Sequence, residues 1–481
     1  MSVDLRPAIP ALVVSIAALA ALLSQAFVGK GRHAPAALLA LLGLGTSFVV
    51  VLLMYAGRHG RGATLGGSLV ADDFALFLQA LILAIAALSV LLASSYLRET
   101  GCERGEWYAL LLFSVVGMMG LVSATDLISL FVALEIMSVA LYALAGFDRQ
   151  RPEGQESAVK YFVTGAFSSA FLLYGVALLY GLTGSTSLDR VASVLGTLAP
   201  DARPMALLGV GLLLVGFGFK VAGVPFHMWV PDVYEGAPTP VTAFMSAGVK
   251  AAAFGALLRV FVHGLGPLEA EWRPALAVLA VVTMVVGNLG ALAQGNVKRM
   301  LAYSSVAHAG YLLAAGVATP RGGVAAILFY LVGYAAVNLG GFGMLAALAR
   351  GQSEPLGLSD FAGLASRRPA VAAAATVFLV SLAGIPVSAG FVGKFYLFSA
   401  AVDAGYVSLA VVGVVMSVVS AFYYLRVVVA MYMREPSGED PWGAVAPASG
   451  IALGAVVLVV LGLGVFPGPV LTLARLAARS L

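Results

Sequence analysis

Residues 220–250 read KVAGVPFHMWVPDVYEGAPTPVTAFMSAGVK. Lys220 and Lys250 stand at its two ends, each continuing into a long apolar run, and four prolines (Pro225, Pro231, Pro238 and Pro240) lie between them. A proline inside a helix removes a backbone donor and clashes with the preceding turn, so no helix runs through this stretch unbroken. The spacing predicts a structured link between broken helices, with an ionisable group set in apolar sequence on either side.

Working outward, the class follows from composition. Hydrophobic residues make up 61% of the 481 and charged residues 10%, with a mean hydropathy of +1.00. Soluble domains run near 25% charged, so this is an integral membrane protein. The apolar runs are long enough for helical spans and lack the short alternating pattern of a membrane β-barrel. About fourteen segments of bilayer length are expected, near 9–28, 35–56, 74–97, 107–124, 127–147, 157–183, 205–230, 239–265, 274–294, 298–319, 322–349, 369–400, 404–432 and 449–474. The expected fold is an all-α polytopic membrane protein with short loops, antiparallel neighbours and a retained first helix. Lys and Arg number about twelve on the side of Lys30, Arg149, Lys298 and Arg367, against about nine opposite, which favours both termini outside the cytoplasm.

Several functions are excluded. The net charge of +4 is spread over many loops, so no basic cluster exists for nucleic acid. Cys102 is the single cysteine, which rules out an intrachain disulfide, a CxxC pair and an iron–sulfur ligand set. Electron transfer must therefore occur on another chain. No glycine-rich nucleotide motif follows a strand, and no metal-ligand cluster is present.

Four ionisable residues lie within the apolar runs: Glu135, Lys220, Lys250 and Lys394. Each costs roughly 2.5–3.5 kcal/mol at the centre of a membrane helix, and together on the order of 10–14 kcal/mol. That rivals the whole stability of an ordinary domain, about 5–15 kcal/mol. Ion movement across the membrane is the leading explanation for such a cost. Ala222-Gly223-Val224-Pro225 is echoed by Ala383-Gly384-Ile385-Pro386, and each lies near a lysine, Lys220 or Lys394. Paired proline-interrupted segments in corresponding halves point to a transporter built from inverted repeats.

Four ordered blocks carry a resemblance: FVALEIMSVALYALAGF (131–147), the 220–250 stretch, GNVKRMLAYSSVAHAGYLL (295–313) and GIPVSAGFVGKFYLF (384–398). Together they resemble the antiporter-like membrane subunits of respiratory complex I, across roughly residues 70–435. PDVYEGAPTPVTAF (231–244) looks in particular like the N-type subunits of bacterial NADH–quinone oxidoreductase. The chain stops shortly after its last segment, without the long lateral helix of the largest such subunit, which points away from that paralogue. The resemblance implies a fourteen-helix fold with two inverted five-helix repeats, each containing a broken helix. The divisions would be 1–106 for the first three helices, 107–265 and 266–432 for the two repeats, and 433–481 for the last helix.

The same resemblance implies the chemistry. Glu135 and Lys220 match a family glutamate–lysine pair, Lys250 and Lys394 match the family's two further relay lysines, and Lys160 matches a lysine near the glutamate. The chain would translocate protons and hold no cofactor. NADH, FMN, iron–sulfur clusters and quinone would belong to partner subunits. Its partners would be antiporter-like and small linking subunits of the membrane arm, in the bacterial inner membrane. Subunits of cation/proton antiporters and of hydrogenase-linked pumps use the same fold and are the alternatives.

The physics suits a relay. Burial disfavours an ammonium and a nearby carboxylate favours it, so moving a carboxylate resets a buried lysine. At ~6 Å and an effective dielectric near 20, the two attract by roughly 2.8 kcal/mol. Moving one charge across 100 mV costs about 2.3 kcal/mol, the same order. The competing reading for the four core residues is a structural ion pair or a side chain reaching the interface. Lys160, near the start of its segment, competes with interface anchoring, and His227 has a shuttle-capable imidazole but equally suits a structural loop. Ser304, Ser305, His308 and Tyr303 could hydrate a channel or join helices by hydrogen bonds.

Overall fold

The computed structural model describes residues 4–27, 34–57, 60–319, 322–351, 354–436 and 441–481. Lys30, weighed above for orientation, lies outside the described residues. Helices α1 (Ile9–Phe27) and α2 (Ala34–Gly57) pair, and a small antiparallel ribbon of β1 (Gly62–Thr64) and β2 (Leu69–Ala71) follows. Next come α3 (Asp73–Glu99), α4 (Gly105–Ser123), α5 (Leu127–Ala145), α6 (Pro152–Thr183) and the short α7 (Leu188–Leu195). The first broken span is α8 (Arg203–Val221) with α9 (Trp229–Gly236). A rod over Thr239–Gly264 contains α10 (Thr239–Phe244), a π turn at Met245–Val249, and α11 (Lys250–Leu258). Then follow α12 (Glu269–Leu292), α13 (Val297–Gly316), α14 (Gly323–Ala347) and the single turn α15 (Leu364–Arg367). The second broken span is α16 (Pro369–Ala383) with α17 (Ala389–Asp403), and α18 (Val407–Met433), α19 (Pro447–Val465) and α20 (Gly468–Ala478) complete the chain.

Among the described residues, 12 helices are long and apolar enough to cross a membrane unaided. The two further expected crossings miss that test for identifiable reasons. Segment ten is a full helix, α13, but carries Lys298, Arg299, Ser304, Ser305 and His308. Segment twelve is divided by its break into two 15-residue halves. The protein is thus a multi-pass membrane protein. Its β-ribbon and the amphipathic α7, with Leu188, Val191 and Leu195 buried, are features that segment-counting passes over. So is the division of segment fourteen at Pro467.

The repeat is visible in backbone register. Asp126, the N-cap of α5, forms an antiparallel bridge with Ser187, and Asn296, the N-cap of α13, forms the same bridge with Gly357 at equal sequence distance. The opening helix pair of each repeat also crosses alike. A Cβ on Gly117 in α4 would come within 2.3 Å of the Met137 nitrogen in α5, and one on Gly287 in α12 within 2.4 Å of the Ala307 nitrogen in α13. Lipid is as apolar as leucine, so helices in a bilayer associate through such close backbone approach rather than by hydrophobic expulsion.

The breaks differ in how their freed carbonyls are satisfied. At the first, α8 ends on Ala222 in the left-handed region (φ 67°), and the Trp229 indole donates to the Phe219 carbonyl at 3.1 Å. At the second, α16 ends on Gly384 (φ 84°), and the Lys394 ammonium donates to the carbonyls of Leu382 (2.8 Å) and Ala383 (3.2 Å). A cation at a helix C-terminus also meets the negative end of the helix dipole. Between the two breaks, the Thr239–Gly264 rod is wholly enclosed by other helices and α14 almost wholly. Lys250 therefore lies in the protein interior, away from the surface of the helix bundle.

Candidate functional site

Helix α5 presents Glu135, Ser138 and Tyr142 at spacings of three and four, which is one helical face. Lys220 comes to that face from the last turn of α8, with only 3% of its surface exposed. Its Nζ donates to the Ser138 hydroxyl at 2.7 Å, and Ser138 in turn donates to the Leu134 carbonyl at 2.5 Å. Glu135 accepts from Ser169 of α6 at 2.5 Å. Glu135 is half-buried and borders an apolar surface groove of about 510 Å³ beside Phe113, Phe131 and Ile136. Its charge acts on Lys220, yet the two side chains form no direct ion pair.

Lys250 begins α11 directly after the π turn and is 2% exposed. Its ammonium donates to the Ser305 hydroxyl (2.6 Å), to the Ser305 carbonyl and to the Tyr334 hydroxyl (3.2 Å). From there polar atoms continue through the interior. The Ser305 and Tyr334 hydroxyls are 2.8 Å apart, and the His308 ring lies 5.5 Å from that of Tyr334. His308 bonds through Nδ1 to the Tyr330 hydroxyl, and its Nε2 lies 3.2 Å from the Tyr424 hydroxyl. Tyr424 also bonds to Ser304. Lys394, 4% exposed, closes the far end. Besides the α16 carbonyls it donates to Ser417 at 2.8 Å, and its Nζ stands 5.1 Å from the centre of the Tyr311 ring. His308 is within electrostatic reach of both Lys250 and Lys394. Tyr311, Asn288 and Tyr423 form a bonded cluster alongside (3.2 and 3.0 Å).

Lys160 and His227 sit elsewhere. Lys160 is bonded to Glu156 and Asp232, each at 2.7 Å, rather than to Glu135. It lines a polar cavity of about 290 Å³ with Ser157, Glu235 and Arg299, and Arg299 pairs with Asp232 (3.0 Å) and Glu235 (2.6 Å). His227 lies half-buried at the first break with its Nδ1 unpartnered. Among the described residues, no hydrogen bond or ion pair ties it to the four core residues.

Two other buried cations have carboxylate partners. Lys298, fully buried, pairs with the equally buried Glu354 at 3.1 Å, and Glu354 also accepts from Tyr96 (2.6 Å) and Thr239 (2.7 Å). Burial raises the Glu354 carboxyl, but Lys298, Tyr96, Arg151 and Thr239 together hold it below the usual carboxylate range. Arg259 forms a two-pronged pair with Asp72 at 2.8 and 2.9 Å, fastening the end of the Lys250 rod to the start of α3.

Reasoning from sequence passed over Ser138, Ser169, Tyr142, Tyr330, Tyr334, Tyr424 and Ser417. Helical spacing from Glu135 would have flagged Ser138 and Tyr142. The others join the site across helices and leave no local signal. Among the described residues, no group of three or more His, Cys, Asp and Glu side chains is gathered as a metal site.

The family model described as NADH:quinone oxidoreductase/Mrp antiporter, TM, matches residues 124–420. NADH-quinone oxidoreductase subunit N of Trichlorobacter lovleyi is 45% identical, over 99% of this chain and 98% of that protein. The subunit N of Mycobacterium tuberculosis is 42% identical over 98% and 97%. In a structure of respiratory complex I from Thermus thermophilus with bound aureothin, one chain superposes with a TM-score of 0.83 at 38% identity, covering 96% of this chain and 98% of that one. A chain of the Mrp complex from a Dietzia strain shares the fold, with a TM-score of 0.87 at 24% identity over 100% and 97%.

Proposed function

The chain belongs to the NADH:quinone oxidoreductase/Mrp antiporter family, within its subunit N group, and from that premise we propose that it translocates protons as a membrane-arm subunit of a bacterial NADH–quinone oxidoreductase. The relay runs through Glu135, Lys220 and Lys250 in the first repeat (107–265), and through His308 and Lys394 in the second (266–432). Lys160 joins Asp232 and Arg299 at a polar mouth, and His227 is a secondary group at the first break. This chain lies in the bacterial inner membrane, and NADH, FMN, iron–sulfur clusters and quinone reside on partner subunits. Electron transfer there drives this chain through subunit contacts.

One observation carries this reading. The chain holds two kinds of buried cation. Lys298 and Arg259 are matched by carboxylates, the arrangement expected where charge serves architecture. Lys220, Lys250 and Lys394 are as deeply buried, yet their nitrogens touch only serine and tyrosine hydroxyls and backbone carbonyls. A neutral amine still donates two hydrogen bonds to such partners, so these three lysines can lose a proton without leaving a carboxylate stranded.

The test is NADH-driven proton uptake by the purified, reconstituted complex containing this chain, with wild type and Lys220→Ala compared. We expect the chain to co-purify with NADH–quinone activity and the variant to lose uptake while still inserting. Normal uptake in Lys220→Ala would remove Lys220 from the relay. A chain purifying without redox partners and exchanging cations for protons would assign it to the antiporter branch.

A further inference from the structure

We propose that Ser138 and Ser169 are positioning residues that hold Lys220 and Glu135 on separate hydroxyls, so that the carboxylate–ammonium pair rests open. The inference rests on the proton-relay reading and deepens it, by naming what keeps the switch from closing.

The polarity of the four contacts is matched to the charges. Ser138 donates its own proton to the Leu134 carbonyl one turn back, so its oxygen faces Lys220 as an acceptor. Ser169 does the reverse and donates its proton to the Glu135 carboxylate. The cation thus meets an acceptor and the anion meets a donor, each held by a different helix and each satisfied without the other. Both serines are buried, and the Ser138–Lys220 contact is enclosed on both sides. Elsewhere Lys220 meets aromatic walls: Tyr142, Tyr161 and Phe219 ring centres lie 5.7, 5.8 and 5.5 Å from its nitrogen. Rings attract a cation through their faces, and among the described residues no hydrogen bond joins Lys220 to the Tyr142 or Tyr161 hydroxyl. Without the Ser138 oxygen, Glu135 becomes the acceptor within the field of Lys220.

Mere helix packing would explain a serine here only in part. A serine bonding back to the carbonyl four residues earlier is common in membrane helices and needs no second partner. Ser138 makes that bond and receives the ammonium as well. Deleting its hydroxyl therefore closes the pair, with Lys220 falling onto Glu135 and the relay held in one setting.

The experiment compares NADH-driven proton uptake by the reconstituted complex for wild type, Ser138→Ala, Ser138→Thr, Glu135→Asp and the double variant Ser138→Ala with Glu135→Asp. Hydrogen bonds to charged groups are strong enough that Ser138→Ala should lower uptake about tenfold. Ser138→Thr, which keeps the hydroxyl, should return it to within about twofold. In the Glu135→Asp background the carboxylate is drawn back, so Ser138→Ala should cost less than about twofold more. An equal cost in both backgrounds would assign Ser138 a packing role only and overturn the proposal. Unchanged uptake in Ser138→Ala would do so too. Lys220→Ala, run in parallel, separates the two levels: normal uptake there sinks the relay itself, whereas its loss beside a neutral Ser138→Ala sinks only the positioning role. Should Ser138→Ala fail to assemble, Ser169→Ala with and without Glu135→Asp decides by the same comparison, from the carboxylate's side.

Discussion

Lys298 and Lys220 are both lysines removed from water, and the atoms they touch separate their roles. Lys298 and Glu354 neutralise each other in a loop-side node that also gathers Tyr96, Thr239 and Arg151. Removing one member leaves the other buried and uncompensated. Glu354→Ala is therefore expected to destabilise the protein by about 3–5 kcal/mol, while Lys298→Met with Glu354→Met together costs less. Thermal unfolding of the detergent-purified protein checks both. The node also sets an acid sensitivity. Its folded carboxyl binds a proton more weakly than the ordinary value of 4.5, so its stabilisation is complete above that pH and is lost as pH falls through the lower folded value. Glu354→Ala should lack this acid-side fall in thermal midpoint, and an unchanged fall would remove the node from that role. Glu135 and Lys220 were legible as candidates in the sequence because a charge in an apolar run is costly, even beside the competing reading of a structural ion pair. Ser138 and Ser169 were not, because hydroxyls in membrane helices are common and their partners lie on other helices.

Helix breaks were legible for a related reason. Proline after a left-handed residue ends a helix by itself, and Ala222-Gly223-Val224-Pro225 and Ala383-Gly384-Ile385-Pro386 both do so. Phe466-Pro467-Gly468-Pro469 breaks its segment through prolines alone, without a left-handed residue, and a length criterion runs through it and merges α19 with α20. Close crossings were the harder part, since an Ala/Gly-rich chain offers many glycines and the sequence does not separate the tightly packed ones from the open ones. A Cβ on Gly340 would reach Phe378 at 2.6 Å, whereas neighbouring Gly341 has ordinary room, with Leu301 at 3.5 Å. Gly117 and Gly287 press against backbone nitrogens, which cannot swing aside as a side chain can. Gly117→Ala and Gly287→Ala should each destabilise by about 1–3 kcal/mol. Gly45→Ala and Gly211→Ala, in helices with nothing within 4 Å, should be neutral or gain up to about 1 kcal/mol from helix propensity. Thermal midpoints of the four variants side by side would test the crossings, and equal effects in all four would contradict them.

Across the whole molecule the two repeats are alike in backbone and unlike in chemistry. The register that relates Asp126–Ser187 to Asn296–Gly357 places Ser305 where the first repeat has Glu135, and His308 where it has Ser138. The first repeat thus sets a carboxylate beside its lysine, and the second sets a hydroxyl and an imidazole beside Lys250. A hydroxyl and an imidazole hand a proton along a hydrogen-bonded file, whereas the Glu135 carboxylate also sets the field at Lys220. On the proposed relay the second repeat is the conducting half beyond Lys250, and the first holds the Glu135–Lys220 pair. His308 is then the joint of the conducting half, because it bonds to Tyr330 and Tyr424 and feels both Lys250 and Lys394. His308→Leu should lower NADH-driven proton uptake by the reconstituted complex about a hundredfold, the lower end of what a positioned acid–base group contributes. Tyr303→Phe, on the same helix but beside Arg299 and away from the file, should leave uptake unchanged. Equal losses in the two variants would mean that α13 responds to any change in packing. A loss confined to His308→Leu would mean that the proton passes through its ring.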